Sequence, residues 1–208
     1  MKALIKEYLT GCLTIPNLLS VIRIALIPVF AVLFNNGDYL WAVIVLAISG
    51  LTDFFDGKIA RKFNQISALG KLLDPIADKL SQMTIAVMFY LTFSGSSDET
   101  VKTFSWIFLV FIIKEAVMVV GGAIMIAFGL KPVAAELPGK LATFAFYTIM
   151  CIVMAFGPDI GILREALFTL PATVMLILVG ISVILTVIAF LSYMPGVFRQ
   201  VKEKKNSK

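Results

Sequence analysis

The chain has 208 residues, of which 60% are hydrophobic and 15% charged, and its mean hydropathy is +0.97. A soluble domain is nearer half apolar and a quarter charged, so this composition marks an integral membrane protein, and the length suits one compact bundle over residues 1–208. The sequence has no histidine and a formal net charge of +5, which excludes imidazole catalysis and His-based metal sites and points to anionic lipid rather than nucleic acid as the partner of the basic face.

The first 16 residues place Leu4, Ile5, Tyr8, Leu9, Cys12 and Leu13 at helical spacing, the pattern of a short amphipathic helix lying on a membrane surface. They lack the long apolar core of a cleavable signal. Six apolar runs follow, at 18–34, 40–57, 72–93, 105–128, 141–157 and 171–194, each near the roughly 20 residues that a helical span needs. Turn chemistry separates several of them, as in NNGD at 35–38, SGSSDE at 94–99, GLKP at 129–132 and GPDIG at 157–161. A basic tail, 195–208, closes the chain. Cys12 and Cys151 form no CxxC pair and are expected to pack rather than bond.

The expected fold is therefore all-α: six transmembrane helices plus the interfacial helix. With the N-terminus cytoplasmic, the outer loops carry only Lys102 and Arg164 of the 18 basic residues. The inner segments carry Lys2, Lys6, Lys58, Arg61, Lys62, Lys71, Lys131, Lys140, Arg199, Lys202, Lys204, Lys205 and Lys208. Cytoplasmic loops are enriched in Lys and Arg, so both termini are expected on the cytoplasmic side of an inner or plasma membrane, together with the junction of the second and third spans.

That junction is the polar anomaly of the sequence. In LTDFFDGKIARKFNQISALGKLLDPIADKL, residues 51–80, Asp53 and Asp56 are three apart and Asp74 and Asp78 four apart. Three and four residues return to one helix face, so two neighbouring helices would each offer a pair of carboxylates. Four such charges in a low dielectric repel and are poorly solvated unless neutralised. Arg61 and nearby lysines supply part of that, and divalent cations supply more. All-oxygen ligation suits Mg²⁺, Mn²⁺ or Ca²⁺, and paired metals bridged by carboxylates serve phosphoryl chemistry. Gly57, Ala60 and Gly70 would leave room for a ligand to approach the backbone. An ion pathway through the membrane, or plain solvated helix ends, are the competing readings of the same residues.

The string Asp53-x2-Asp56-Gly57-x2-Ala60-Arg61-x8-Gly70-x3-Asp74-x3-Asp78 resembles, without gap or substitution, the motif of the CDP-alcohol phosphatidyltransferases. The opening TIPNLLSVIRI, 14–24, is similar to the branch of that family that makes anionic phospholipids. The resemblance implies a six-helix membrane bundle, commonly a homodimer, with a polar cavity open to the cytoplasm. It implies two divalent cations, Mg²⁺ or Mn²⁺, held by Asp53, Asp56, Asp74 and Asp78 against the diphosphate of CDP-diacylglycerol. Gly57, Ala60, Arg61 and Gly70 would shape the CDP pocket. Asp78 would also act as general base on the acceptor hydroxyl, with CMP leaving.

The acceptor pocket would draw on Lys114, Lys140, Thr143 and Arg23. In enzymes of this family that use glycerol 3-phosphate, the corresponding runs look like R-E-x6-[GL]-R and G-K-x-K-T. Here Lys114 replaces the first Arg, Gly122 stands at the second Arg, and Ala142 stands at the second Lys, whereas Glu115, Lys140 and Thr143 agree. The resemblance thus implies glycerol 3-phosphate as first acceptor, giving phosphatidylglycerophosphate. Phosphatidylglycerol, giving cardiolipin, is the alternative that the two missing cations favour. A non-enzymatic ion-binding or transport protein stands further off, since the charges gather at one end of the bundle.

Overall fold

A computed structural model describes residues 14–63, 70–128, 130 and 137–206, with side chains left out at 54, 56–62, 71–72, 126–127 and 205–206. Among the described residues the regular structure is entirely helical: α1 (Ile15–Asn35), α2 (Tyr39–Lys62), α3 (Gly70–Ser94), α4 (Glu99–Phe104), α5 (Ile107–Ala127), α6 (Leu137–Phe156) and α7 (Ala172–Asn206). They fall into two compact units, Met1–Met88 and Phe89–Lys208.

In the first unit Thr14 caps α1 by accepting from the Asn17 amide at 3.3 Å, and Pro16 follows in the first turn, where its missing donor costs nothing. Residues 15–16 therefore open the first long helix rather than close the interfacial one, and the rest of the expected interfacial helix, 1–13, lies outside the described residues. α1 ends in the NNGD turn. Gly37 takes φ +81°, its amide bonds the Phe34 carbonyl, and the Asp38 amide reaches back to Leu33 at 2.9 Å. This is the left-handed closure that glycine permits without a Cβ penalty. α1 and α2 then pack along their lengths, burying Phe30, Phe34, Ala42 and Leu46. A narrow apolar crevice lined by Leu26, Phe30, Leu46, Ser49, Ser81 and Ile85 marks where α1, α2 and α3 meet.

The second unit takes up the end of α3. Phe89 and Phe93 stack edge-on at 5.6 Å, and both reach Phe108. α6 packs on α7, and Phe111 of α5 meets Phe146 of α6 at 4.9 Å. The loop after α6 is held from within: Arg164 Nη1 donates to the carbonyls of Pro158 at 2.6 Å and Asp159 at 3.1 Å. One of the two basic residues expected on the outer face is thus committed to closing its own loop.

Burial is inverted relative to a soluble protein. On α1 Asn17, Ser20 and Arg23 are buried while Leu18, Val21, Val29 and Val32 are exposed. An apolar surround explains both halves of that pattern. Among the described residues four helices are long and apolar enough to cross a membrane, within Ile15–Asn35, Glu99–Met125, Leu137–Phe156 and Ala172–Lys204. The helices cover all six expected spans. Among the described residues the apolar stretch of α2 is Tyr39–Asp53, and α3 carries Lys71, Asp74, Asp78, Lys79 and Gln82 toward its start. The expected tail also differs, because α7 runs without a break through Pro195 to Asn206.

Glycine is needed where the 157–171 loop leaves α6. A Cβ on Gly161 would lie 2.5 Å from the Gly157 carbonyl oxygen, a backbone atom, whereas one on Gly180 in α7 would meet nothing within 4 Å. Gly161→Ala is expected to cost about 1–3 kcal/mol, a fall of several degrees in thermal unfolding in detergent. Gly180→Ala should leave the melting temperature unchanged within a degree or two.

Candidate functional site

The site is organised by Arg23. It is the ninth residue of α1, about 12 Å along the helix at 1.5 Å per residue, and it is 0% exposed. Its Nη1 donates to Asp53 Oδ1 on α2 at 2.7 Å and to Asp74 Oδ1 on α3 at 3.3 Å. Charge-assisted bonds of this kind are short and strong. The two aspartates keep access to the outside, with side-chain exposures of 27% and 48%. The arrangement is a buried cation beneath two reachable carboxylates. Asn17 and Ser20 precede Arg23 at helical spacing and are also buried, with Ser20 Oγ bonded back to the Pro16 carbonyl.

Asp78 lies one turn beyond Asp74 on α3, and its oxygens have different partners. Gln82 Nε2 donates to Oδ1 at 2.8 Å and Lys79 Nζ stands 3.5 Å from Oδ2. Gln82 is itself buried, so it fixes the rotation of the carboxylate. Sequence reasoning passed over Gln82, although its i+4 spacing from Asp78 in an apolar helix is the signal that could have found it. Gly70 opens α3 one turn before Asp74. The side chains of Asp56, Gly57, Ala60 and Arg61 lie outside the described residues, and their backbone continues α2 from Asp53.

Asp53 and Asp74, brought together from two helices, offer the hard oxygen donors that Mg²⁺ or Mn²⁺ takes, and their exposure leaves a way in. In that respect the residues fit a divalent cation. Among the described residues no three acidic, His or Cys side chains converge on one point.

The expected acceptor residues lie in the second unit, except Arg23. Lys114 and Glu115 are adjacent in α5, both turned inward, and ion-paired with each other. Glu115 is 0% exposed. Lys140 is exposed in the first turn of α6 and Thr143 half-buried one turn on. Ala142 is 5% exposed, so the second Lys of the resembling pattern would have to displace packed neighbours there. A Cβ at Gly122 would meet nothing within 4 Å. Lys131 lies outside the described residues.

The family model for CDP-alcohol phosphatidyltransferase matches residues 13–188. The chain belongs to that family. A CDP-alcohol phosphatidyltransferase family match of this length takes in residues of both units and every residue expected at the site. Among curated relatives, the chain is 39% identical over 138 residues to "Cardiolipin synthase (CMP-forming)" of Streptomyces coelicolor, a match covering 64% of this chain and 60% of that protein. It is 54% identical over 68 residues to the human protein of the same name, covering 32% of this chain and 23% of the relative. It is 42% identical over 77 residues to "CDP-diacylglycerol--glycerol-3-phosphate 3-phosphatidyltransferase" of Rickettsia typhi, covering 36% of this chain and 43% of that protein. The chain thus spans less than two thirds of the length of each.

The buried pair in α5 can be tested by itself. Removing one partner of a buried ion pair leaves an uncompensated charge and costs about 3–5 kcal/mol, whereas replacing both with apolar groups is often neutral. Glu115→Ala should therefore lower the unfolding temperature in detergent by roughly 10 °C. The double variant Lys114→Met/Glu115→Leu should recover most of that loss.

Proposed function

We propose that the protein transfers the phosphatidyl group of CDP-diacylglycerol to the hydroxyl of phosphatidylglycerol, forming cardiolipin and releasing CMP. The observation that carries the acceptor is the state of the two cation positions. Ala142 is packed in the core and Gly122 faces open space, while Lys114 is already ion-paired with Glu115. A phosphate monoester needs a more cationic pocket than a phosphodiester does. The Streptomyces coelicolor match supports the same reading, because 138 aligned residues must run far beyond the 26-residue aspartate motif. Glycerol 3-phosphate, the acceptor first expected from the sequence, is the second reading. It is supported by Lys140 and Thr143 and by the shorter match to the Rickettsia typhi protein.

In this reading Asp53, Asp56, Asp74 and Asp78 hold two divalent cations, Mg²⁺ or Mn²⁺, which when bound would polarise the diphosphate and stabilise the departing CMP. Gly57, Ala60, Arg61 and Gly70 receive the CDP moiety. Asp78, held in one rotation by Gln82, takes the proton of the acceptor hydroxyl. The freed oxygen attacks the phosphorus that carries diacylglycerol, the bond from that phosphorus to the CMP oxygen breaks, and CMP leaves with the negative charge. A single six-span domain, both termini and the site cytoplasmic, and a homodimer complete the proposal. The family match from 13 to 188 supports the single domain, and the basic residues of the inner segments support the orientation.

CMP release by purified protein with CDP-diacylglycerol and Mn²⁺ is expected with phosphatidylglycerol and not with glycerol 3-phosphate. Release with glycerol 3-phosphate alone would transfer the assignment to the second reading, and release with neither would remove the activity altogether. Asp78→Asn should lower turnover by about 10²–10⁴, the contribution of a positioned base.

Gln82→Leu keeps much of the side-chain volume but removes the bond to Asp78. Partners that orient functional groups are commonly worth about 10–100-fold. Turnover is expected to fall by that factor with little change in the KM for CDP-diacylglycerol.

A further inference from the structure

Arg23 carries two features that acceptor binding does not explain. It is fully buried, and one of its nitrogens bonds carboxylates from two different helices, Asp53 at 2.7 Å and Asp74 at 3.3 Å. A side chain that met a soluble or lipid acceptor would keep its guanidinium accessible. Here the accessible groups are the carboxylates, and the cation lies behind them.

We infer that Arg23 is a positioning residue: an internal counter-cation that holds Asp53 and Asp74 together when no metal is bound, and that competes with a divalent cation for their charge. The inference rests on the metal reading proposed above. Two carboxylates that converge in an apolar bundle repel each other. Guanidinium stays protonated in any protein environment, and its planar fork can serve several oxygens at once. Arg23 therefore ties α1 to α2 and α3 before any ligand arrives. A dication arriving at the same oxygens brings positive charge close to Arg23, so the pairing that stabilises the metal-free fold opposes metal binding. A residue with only a packing role would not have these opposite effects on the two states.

The test uses Arg23→Met, which keeps length without charge, and Arg23→Lys, which keeps charge without the fork. Thermal unfolding of the full chain in detergent is followed in EDTA and in graded Mn²⁺, and Mn²⁺ binding is measured by paramagnetic resonance. In EDTA the Met variant should unfold about 10 °C below the parent protein, and the Lys variant should fall between them. Mn²⁺ should bind the Met variant about tenfold more tightly than the parent and raise its unfolding temperature by more. If the Met variant does not fold, the Lys variant must show the same two opposite shifts, smaller in size. An unchanged unfolding temperature in EDTA, or Mn²⁺ binding that is unchanged or weaker, overturns the role of Arg23 while leaving the metal reading in place. A parent protein that shows no Mn²⁺ binding at all overturns the metal reading and the competition with it.

Discussion

Charge has to be kept inside an apolar bundle without leaving it unpaired, and one buried guanidinium is where this chain does so. Arg23 joins α1 to the aspartates of α2 and α3, and the surrounding structure follows from that contact. α1 needs a polar stripe to deliver the guanidinium, which accounts for buried Asn17 and Ser20 in an otherwise apolar helix. Its outer face can then be entirely hydrocarbon, as Leu18, Val21 and Val29 show. Buried Phe30, Phe34, Ala42 and Leu46 close α1 and α2 on one another. A charged site in lipid is stable only when such pairing is complete, since exposing one unmatched ion to hydrocarbon costs several kcal/mol.

The sequence made some of this legible and hid the rest for physical reasons. The helices were readable because apolar runs of about 20 residues have few alternatives in lipid. The turns were readable because glycine chemistry is local: the NNGD closure at Gly37 needs no distant partner. The aspartates were readable because spacings of three and four register on one helix face. Arg23 reads from the sequence as an acceptor residue, because nothing local shows that residue 23 meets residues 53 and 74. Pairings separated by 30 and 51 positions depend on packing that spacing does not encode. Gln82 was missed for the opposite reason. Its partner is four residues away, but an amide in a span reads as an ordinary polar interruption.

The span count shows a similar limit. Six apolar runs suggested six spans, and among the described residues four helices are long and apolar enough on their own to cross a membrane. α3 is interrupted by Asp74, Asp78, Lys79 and Gln82. Of the carboxylates at this end, Asp74 and Asp53 of α2 are matched by a cation from α1. Hydropathy judges each helix as if it stood alone in lipid, whereas charges buried against a neighbour cost far less than that measure assumes.

The proposed acceptor rests on the same electrostatics. A phosphate monoester carries more charge than a phosphodiester, so its pocket must hold more uncompensated cations, each expensive in an apolar bundle. This chain answers several such charges internally: Arg23 with Asp53 and Asp74, Lys114 with Glu115. It fills another position with a packed alanine, Ala142. Positive charge spent on internal pairs is not available to draw in an anionic headgroup. A lipid acceptor needs less of it, because it is delivered within the membrane and its acyl chains contribute to binding by burial in the apolar surround. The Lys114–Glu115 pair and the packed Ala142 are therefore arguments for the proposed lipid acceptor.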